Sequence, residues 1–332
     1  MEKRKLKVGQ IGIGHNHASA KMETAKMLPD DFEILGVVED DEKWRETRGG
    51  LKAYEGVPFM TEDELFAMRP DVIFVETDVW KLVPTAQRCV ERGISIHMDK
   101  PAGENMAEYE KMLDTADRTG AVVQLGYMYR YNEGIKHIRR AIADGKIGKI
   151  YNIDAQMSTY HPDSYREWLG HFKGGSMFIF GSHLIDLTVM LMGEPNEVIP
   201  LSVSSGKSGI NVCDNGLAVL RYGDANVTIR TSSVEVGGWG RRQFVVCGEK
   251  GTIELMPLEV DLTGRECYAK EGMPAYKNTF SEIAFDEPDH KYRYFEQLLD
   301  LAAIVRGEKK NEFDTSYEKA VHRTVLRACG VL

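Results

Sequence analysis

The chain has 332 residues, more than one hydrophobic core ordinarily organises, and a formal net charge of −9. That charge excludes the basic surface of a general nucleic-acid binder and favours no docking on an anionic membrane. Its 42% hydrophobic and 28% charged residues suit a soluble globule, and no run approaches the roughly 18 apolar residues that span a bilayer. Met1-Glu2-Lys3-Arg4-Lys5 is basic but runs straight into a strand, so it does not read as a signal peptide. The five cysteines are scattered and form no CxxC pair, which fits a reducing cytoplasm rather than a disulfide framework or zinc knuckle.

Leu6-Lys7-Val8-Gly9-Gln10-Ile11 predicts a strand, and a helix is expected over 18–28. Between them stands Gly12-Ile13-Gly14-His15-Asn16-His17. Strand, glycine turn and helix are the context that a dinucleotide fingerprint requires. Gly12 serves the tight turn, and Gly14 lets backbone approach a pyrophosphate at the helix N-terminus. The loop residues Ile13, His15 and Asn16 are then cofactor contacts. His17 replaces the third glycine, which predicts a helix set slightly farther from the sheet. His15 and His17 form an H-x-H pair, but no third ligand is near in sequence, so no metal is expected.

The second strand ends on Glu39 and Asp40. An acid there accepts from ribose hydroxyls and repels a 2′-phosphate, so NAD is expected over NADP. The same acids also suit a helix start. Asp71-Val72-Ile73-Phe74-Val75-Glu76 predicts another strand, with Thr77 at its cofactor edge, followed by a helix over 79–92. Ile94-Ser95-Ile96-His97-Met98 is a short apolar run that stops on Asp99-Lys100-Pro101. A charged pair at a strand's carboxyl end lies where open α/β sheets bind ligands. After a helix at Met106–Thr119 and the run Ala121–Leu125, the βα alternation predicts a parallel, doubly wound sheet over 1–125.

Beyond Gly126 the rhythm changes, and 126–332 reads as an α+β domain with an open, mostly antiparallel sheet. Tyr127-Met128-Tyr129-Arg130-Tyr131-Asn132 has the polar, aromatic character of a site wall. A helix at Glu133–Ala143 and a strand at Ile150–Ser158 precede a polar loop at 160–168 that holds Tyr160, His161 and Trp168. A helix over 176–192 carries His183 and Asp186, whose i, i+3 spacing sets them on one face. Strands at hairpin spacing and two C-terminal helices complete the chain. The spacing of Leu298, Leu301, Ile304 and Val305 predicts core.

In this order, Gly-x-Gly-His, Asp99-Lys100-Pro101, Gly126-Tyr127-Met128-Tyr129-Arg130-Tyr131-Asn132 and Gly181-Ser182-His183-Leu184-Ile185-Asp186 make the chain resemble the Gfo/Idh/MocA oxidoreductases. The resemblance spans essentially the whole chain. It implies a Rossmann domain, a C-terminal domain whose sheet often makes a homo-oligomer, and NAD(P)-linked redox chemistry at a secondary alcohol of a sugar, glycoside or cyclitol. Lys100 falls on the family's Glu-Lys-Pro lysine, with Asp99 in place of the glutamate, and His183 falls on its catalytic histidine. Two departures stand out: Ile179 replaces an Asp four residues before that histidine, and the Thr-Pro-Asn-x-x-His segment is reduced to Thr77-Asp78-Val79-Trp80-Lys81-Leu82.

The expected chemistry divides between two residues. His183 is the proton acceptor, because imidazole titrates near neutrality. Lys100, whose ordinary pKa is about 10.4, polarises the substrate oxygen or joins the relay. Asp186 orients His183 or holds a substrate hydroxyl. Tyr127, Arg130, Tyr160, His161 and Trp168 are substrate candidates, with Lys173 behind them. Two alternatives remain open at this point: transient oxidation by retained NAD that eases elimination or glycosidic cleavage, and a non-catalytic dinucleotide-binding regulator.

Overall fold

The apolar runs β1 (Leu6–Ile11), β2 (Phe32–Val38), β3 (Val72–Val75), β4 (Ser95–Met98) and β5 (Val123–Leu125) pair in the order β2-β1-β3-β4-β5, every neighbour parallel. β3 and β4 are buried along their whole length. Such strands need helices on both faces, because a parallel sheet exposes neither side to water. The helices are α1 (Ala18–Lys26), α2 (Glu42–Arg48), α3 (Glu62–Ala67), α4 (Leu82–Val90) and α5 (Met106–Thr119). α5 starts where the Asn105 side chain accepts from the Glu108 amide at 3.2 Å, and it stops at Gly120, whose φ of +75° few other residues tolerate. Ile11, Val75 and Met98 lie in register, so the residues after them meet along one carboxyl edge. The strand order reverses between β1 and β3, which makes that edge the crevice for a ligand.

The computed structural model describes residues 3–270, 272–274, 277–285 and 293–332. They divide into two units, one of Met1–Met128 with Asp289–Lys319 and one of Tyr129–Pro288 with Ala320–Leu332. The second unit holds α6 (Glu133–Ala143), β6 (Ile150–Ser158), α7 (Asp163–Leu169) and a π-helical turn at Met177–Gly181 that continues as α8 (Ser182–Met192). The strands β7 (Glu197–Pro200), β8 (Asn215–Tyr222), β9 (Ala225–Ser232), β10 (Gln243–Gly248), β11 (Gly251–Leu255), β12 (Gly264–Tyr268) and β13 (Ser281–Glu282) join β6 in one sheet. Its order is β13-β12-β11-β10-β6-β9-β8-β7, antiparallel except for β6 with β9.

The structure corrects three sequence expectations. The polar stretch expected as loop forms α7, because Arg166 turns inward to Asp214 at 2.7 Å and also bonds Asp163 one turn back at 2.9 Å. The short helix α3 was not anticipated, whereas α2, starting just after Glu39 and Asp40, takes up the helix start that those acids suit. α2 buries no residue and so carries little periodic signal, while α3 is set by a capping box between Thr61 and Glu64. The third concerns α9 (Phe295–Val305), which precedes α10 (Thr315–Ala328). Leu298, Leu301 and Ala302 of α9 pack into one cluster with Leu6, Val8, Phe32, Val72 and Phe74. Gln297 ties α9 to β5, donating to the Leu125 carbonyl at 2.9 Å and accepting from Gln124 on its own carbonyl at 3.1 Å. The first unit is therefore discontinuous, and the linear division 1–125 and 126–332 leaves part of its core on the far side.

Candidate active site

The glycine loop begins where β1 ends. Gly12 has φ +89°, its amide donates to the Val38 carbonyl at 2.8 Å, and a Cβ there would meet the Thr77 backbone at 2.6 Å. Only glycine fits that turn. The Ile13 amide donates to Glu39 Oε2 at 2.7 Å, and Glu39 Oε1 accepts the Asp41 amide at 2.9 Å. A carboxylate offers about four lone-pair sites, so Glu39 keeps acceptor capacity for a ribose hydroxyl. Asp40 is exposed beside it. The His15 amide donates to the Glu76 carbonyl at 2.9 Å, which pins the loop to the end of β3. The residues present therefore fit a nicotinamide dinucleotide: a turn without a side chain, a helix N-terminus, and a ribose acceptor. His15 and Asn16 also line a cleft with Ile13, Ser19, Arg48, Leu51 and Tyr54.

A buried ionic cluster underlies this edge. The Lys21 ammonium is wholly buried and donates to Glu76 Oε1 at 2.8 Å and Asp99 Oδ2 at 2.5 Å. His17, at the N-cap of α1, sets Nδ1 3.0 Å from the same Asp99 oxygen, and His15 Nδ1 lies 3.2 Å from it. Asp99 Oδ1 accepts the Lys100 amide at 2.7 Å. Where a third glycine would close helix on strand, the chain instead joins them by ions. Burial would raise Asp99, but His15, Lys21 and His17 together hold it well below the usual carboxylate range. Burial pushes Glu76 well above that range against the pull of Lys21. Burial would lower Lys21, and the two carboxylates raise it instead.

Asp99, expected as a cofactor contact, is thus turned inward, and the ammonium it grips at 2.5 Å is that of Lys21. Asp99 also supplies the third ligand atom that the H-x-H pair lacked in sequence. The ligand atoms of His15, His17 and Asp99 lie within 4.8 Å of one another. Lys21 already brings a positive charge to that carboxylate.

Burial lowers His17 to about 4 against the attraction of Asp99, and lowers His97, bonded to Gln124 at 2.8 Å, to about 3. Both rings are neutral in the folded chain at pH 5, whereas in the unfolded chain they titrate near 6.5. Between pH 6.5 and 4 the unfolded state binds the extra protons, so each ring makes stability fall with pH, by about 1.4 kcal/mol per unit. Glu76, raised by burial, works in the opposite direction. The expected result is therefore differential: denaturant melts at pH 7, 6 and 5 show a shallower loss for His97→Gln than for wild type. Parallel losses would refute it.

In the second unit, His183 begins α8 just after the π-helical turn and is 6% exposed. Its ring meets Tyr129 edge to face at 4.9 Å. Asp186 shares its helix face but accepts both Nε and Nη2 of Arg130, at 3.0 and 2.7 Å, with both side chains buried. Asp186 and Arg130 were expected to serve catalysis and substrate. The structure joins the two in a buried, two-pronged ion pair, since a guanidinium matches a carboxylate better than an imidazole does. His161 stacks on Tyr165 at 4.1 Å and lies near-parallel to Phe180 at 5.3 Å, which places it against the turn that leads to His183. Trp168 lies against Tyr165 at 5.2 Å, half-buried. Tyr160 is exposed, with the Lys207 ammonium 3.9 Å above its ring and bonded to its hydroxyl at 2.7 Å. Tyr127, in the first unit, is buried, as is Lys100.

Comparison with known proteins gives this geometry a family. Residues 6–127 match the model of the oxidoreductase family with NAD-binding Rossmann fold, and residues 135–254 match the GFO/IDH/MocA C-terminal domain. The chain belongs to the GFO/IDH/MocA oxidoreductases. Among relatives, it is 23% identical over 278 residues to the uncharacterized oxidoreductase YhhX of Escherichia coli, covering 81% of this chain and 76% of that protein. It is 25% identical over 260 residues to myo-inositol 2-dehydrogenase of Thermotoga maritima, covering 75% and 74%. The solved aldose-aldose oxidoreductase from Caulobacter crescentus superposes with a TM-score of 0.80 at 18% identity over 98% of each chain, which shows a shared fold.

As a GFO/IDH/MocA oxidoreductase, the chain has an NAD(P)-binding Rossmann unit and a sheet-bearing C-terminal unit. No helix among the described residues is long and apolar enough to cross a membrane. Sequence reasoning missed Lys21, Glu76, Trp44 and Arg48 at this site. Lys21 did carry a signal: it lies one turn after His17, the residue that breaks the glycine pattern.

Proposed function

We propose that the chain is an NAD-linked dehydrogenase that oxidises a secondary alcohol of a sugar, glycoside or cyclitol. The observation that carries this reading is the convergence of the Gly12 turn, Glu39 and Lys100 at one carboxyl sheet edge in a GFO/IDH/MocA Rossmann unit. A bound nicotinamide supplies the hydride acceptor. The chain's own residues must orient the alcohol and take its proton. Lys100, the residue after buried Asp99, donates to the substrate oxygen and steadies its developing charge. His183 accepts the hydroxyl proton. The aromatic faces of His161 and Trp168 bind the sugar. The relative named for myo-inositol supports a polyol-like substrate.

Glu39 supports NAD over NADP, because a 2′-phosphate would face a carboxylate that two amides already hold in place. Like charges so placed cost several kcal/mol. The protein should therefore use NAD+ at least about tenfold more efficiently than NADP+, and Glu39→Ser should narrow that ratio. An unchanged ratio rejects the role of Glu39. The reaction itself is tested by incubating the protein with NAD+ and cyclitols, aldoses or glycosides, following reduced nicotinamide by absorbance and products by mass. Accumulating NADH is expected. Altered sugar without net NADH would instead support transient oxidation, and no turnover across the panel would sink the dehydrogenase.

A further inference from the structure

The approach to the second fingerprint glycine is filled. A Cβ built on Gly14 would lie 2.7 Å from Trp44 Nε1 and 3.0 and 3.2 Å from Cδ1 and Cε2 of the same ring. That glycine lacks a side chain so that a pyrophosphate can come against the backbone. Here an indole edge rests in that place. Its Nε1–H donates to Asp78 Oδ2 at 3.2 Å, just past the end of β3. The Arg48 guanidinium lies 4.4 Å from its ring. Arg48 in turn donates Nη1 to the carbonyls of Ile13, Gly14 and His15 at 3.1, 2.8 and 2.8 Å, and Nη2 to Asn16 at 3.0 Å. The guanidinium thus holds the carbonyl side of the loop while the indole covers Gly14. Both side chains stand on α2, a seven-residue helix with no fully buried residue. The half-buried indole packs on the outside of a small core of Ile13, Met22, Val37, Ala53 and Tyr54, so its departure gives up that outer contact and leaves the core residues themselves in place.

We propose that Trp44 is a latch on the dinucleotide site: its indole sits where the cofactor's diphosphate belongs, and nucleotide binding breaks the bond to Asp78 and lifts the ring from Gly14. This rests on the reading of the first unit as an NAD(P) site. The latch taxes affinity by the fraction of molecules in which it is open, so weakening it tightens binding. Arg48 keeps its carbonyl contacts throughout, which leaves the loop shaped for the phosphate.

ADP-ribose is the probe, since it carries the adenosine and diphosphate without the redox ring. Its binding is followed by calorimetry and by tryptophan emission. Wild-type emission is expected to change on saturation, and Trp44→Phe to abolish most of that change, with Trp80, Trp168 and Trp239 remaining. Trp44→Phe, which keeps a ring but loses the indole N–H, and Trp44→Ala are expected to bind ADP-ribose roughly 3- to 10-fold more tightly. Weaker or unchanged binding in Trp44→Phe overturns the latch, as does calorimetric binding by wild type with no change in emission. If neither wild type nor variants bind ADP-ribose or NAD+, the nucleotide reading itself falls and the latch falls with it.

Discussion

With His183 replaced by Ala, turnover on the substrate found in the panel should fall by roughly 10²- to 10⁴-fold, the usual worth of a positioned proton acceptor. His183 stands on the first turn of α8, fixed by the π-helical turn before it and by the edge of Tyr129. Its helix neighbour Asp186 is held by two prongs of Arg130. The loss should be larger in kcat than in KM, because proton transfer belongs to the transition state. The acidic limb of the kcat/KM profile should vanish with the imidazole. Turnover within a factor of two of wild type would remove His183 from the chemistry and leave Lys100 as the acceptor.

The largest expected effect on stability comes from a residue with no assigned contact to cofactor or substrate. Lys21→Met should cost roughly 3–5 kcal/mol, the range for breaking a buried ion pair from one side. The methionine fits the space but leaves Glu76 and Asp99 buried with no ammonium between them. Denaturant midpoints at constant slope measure the loss. Lys21→Met combined with Glu76→Gln should regain part of it, since one buried charge is then gone. A loss under about 1 kcal/mol would show that water or His15 takes over the ammonium's role.

The parallel sheet was legible because each of its strands is a short apolar run halted by a glycine or a charge, and burial on both faces leaves no alternation to confuse. The Gly12 turn and Glu39 were legible for the same local reason: the turn needs its glycine and the strand end needs its acid. What escaped was long-range pairing. Lys21 reads as an ordinary helix lysine, and its partners Glu76 and Asp99 stand 55 and 78 residues away. Asp186 was assigned to His183 by helical spacing, yet the guanidinium that claims it is 56 residues distant. α7 was taken for loop because one of its two buried residues, Arg166 beside Leu169, is an arginine, which no apolar pattern marks.

The return of α9 to the first unit bears on how the protein is made. Domains commonly fold as they leave the ribosome, the N-terminal one first. Here the glycine loop, Glu39 and Lys100 precede the second unit's sheet, but the wall that Leu298, Leu301 and Ala302 give to Leu6, Val8 and Phe74 is made only after it. Until then β1 and β3 have an uncovered apolar face, and the sheet that carries the cofactor edge waits on α9. A truncation at the end of β5 would keep every fingerprint residue and still lack part of the core that holds them.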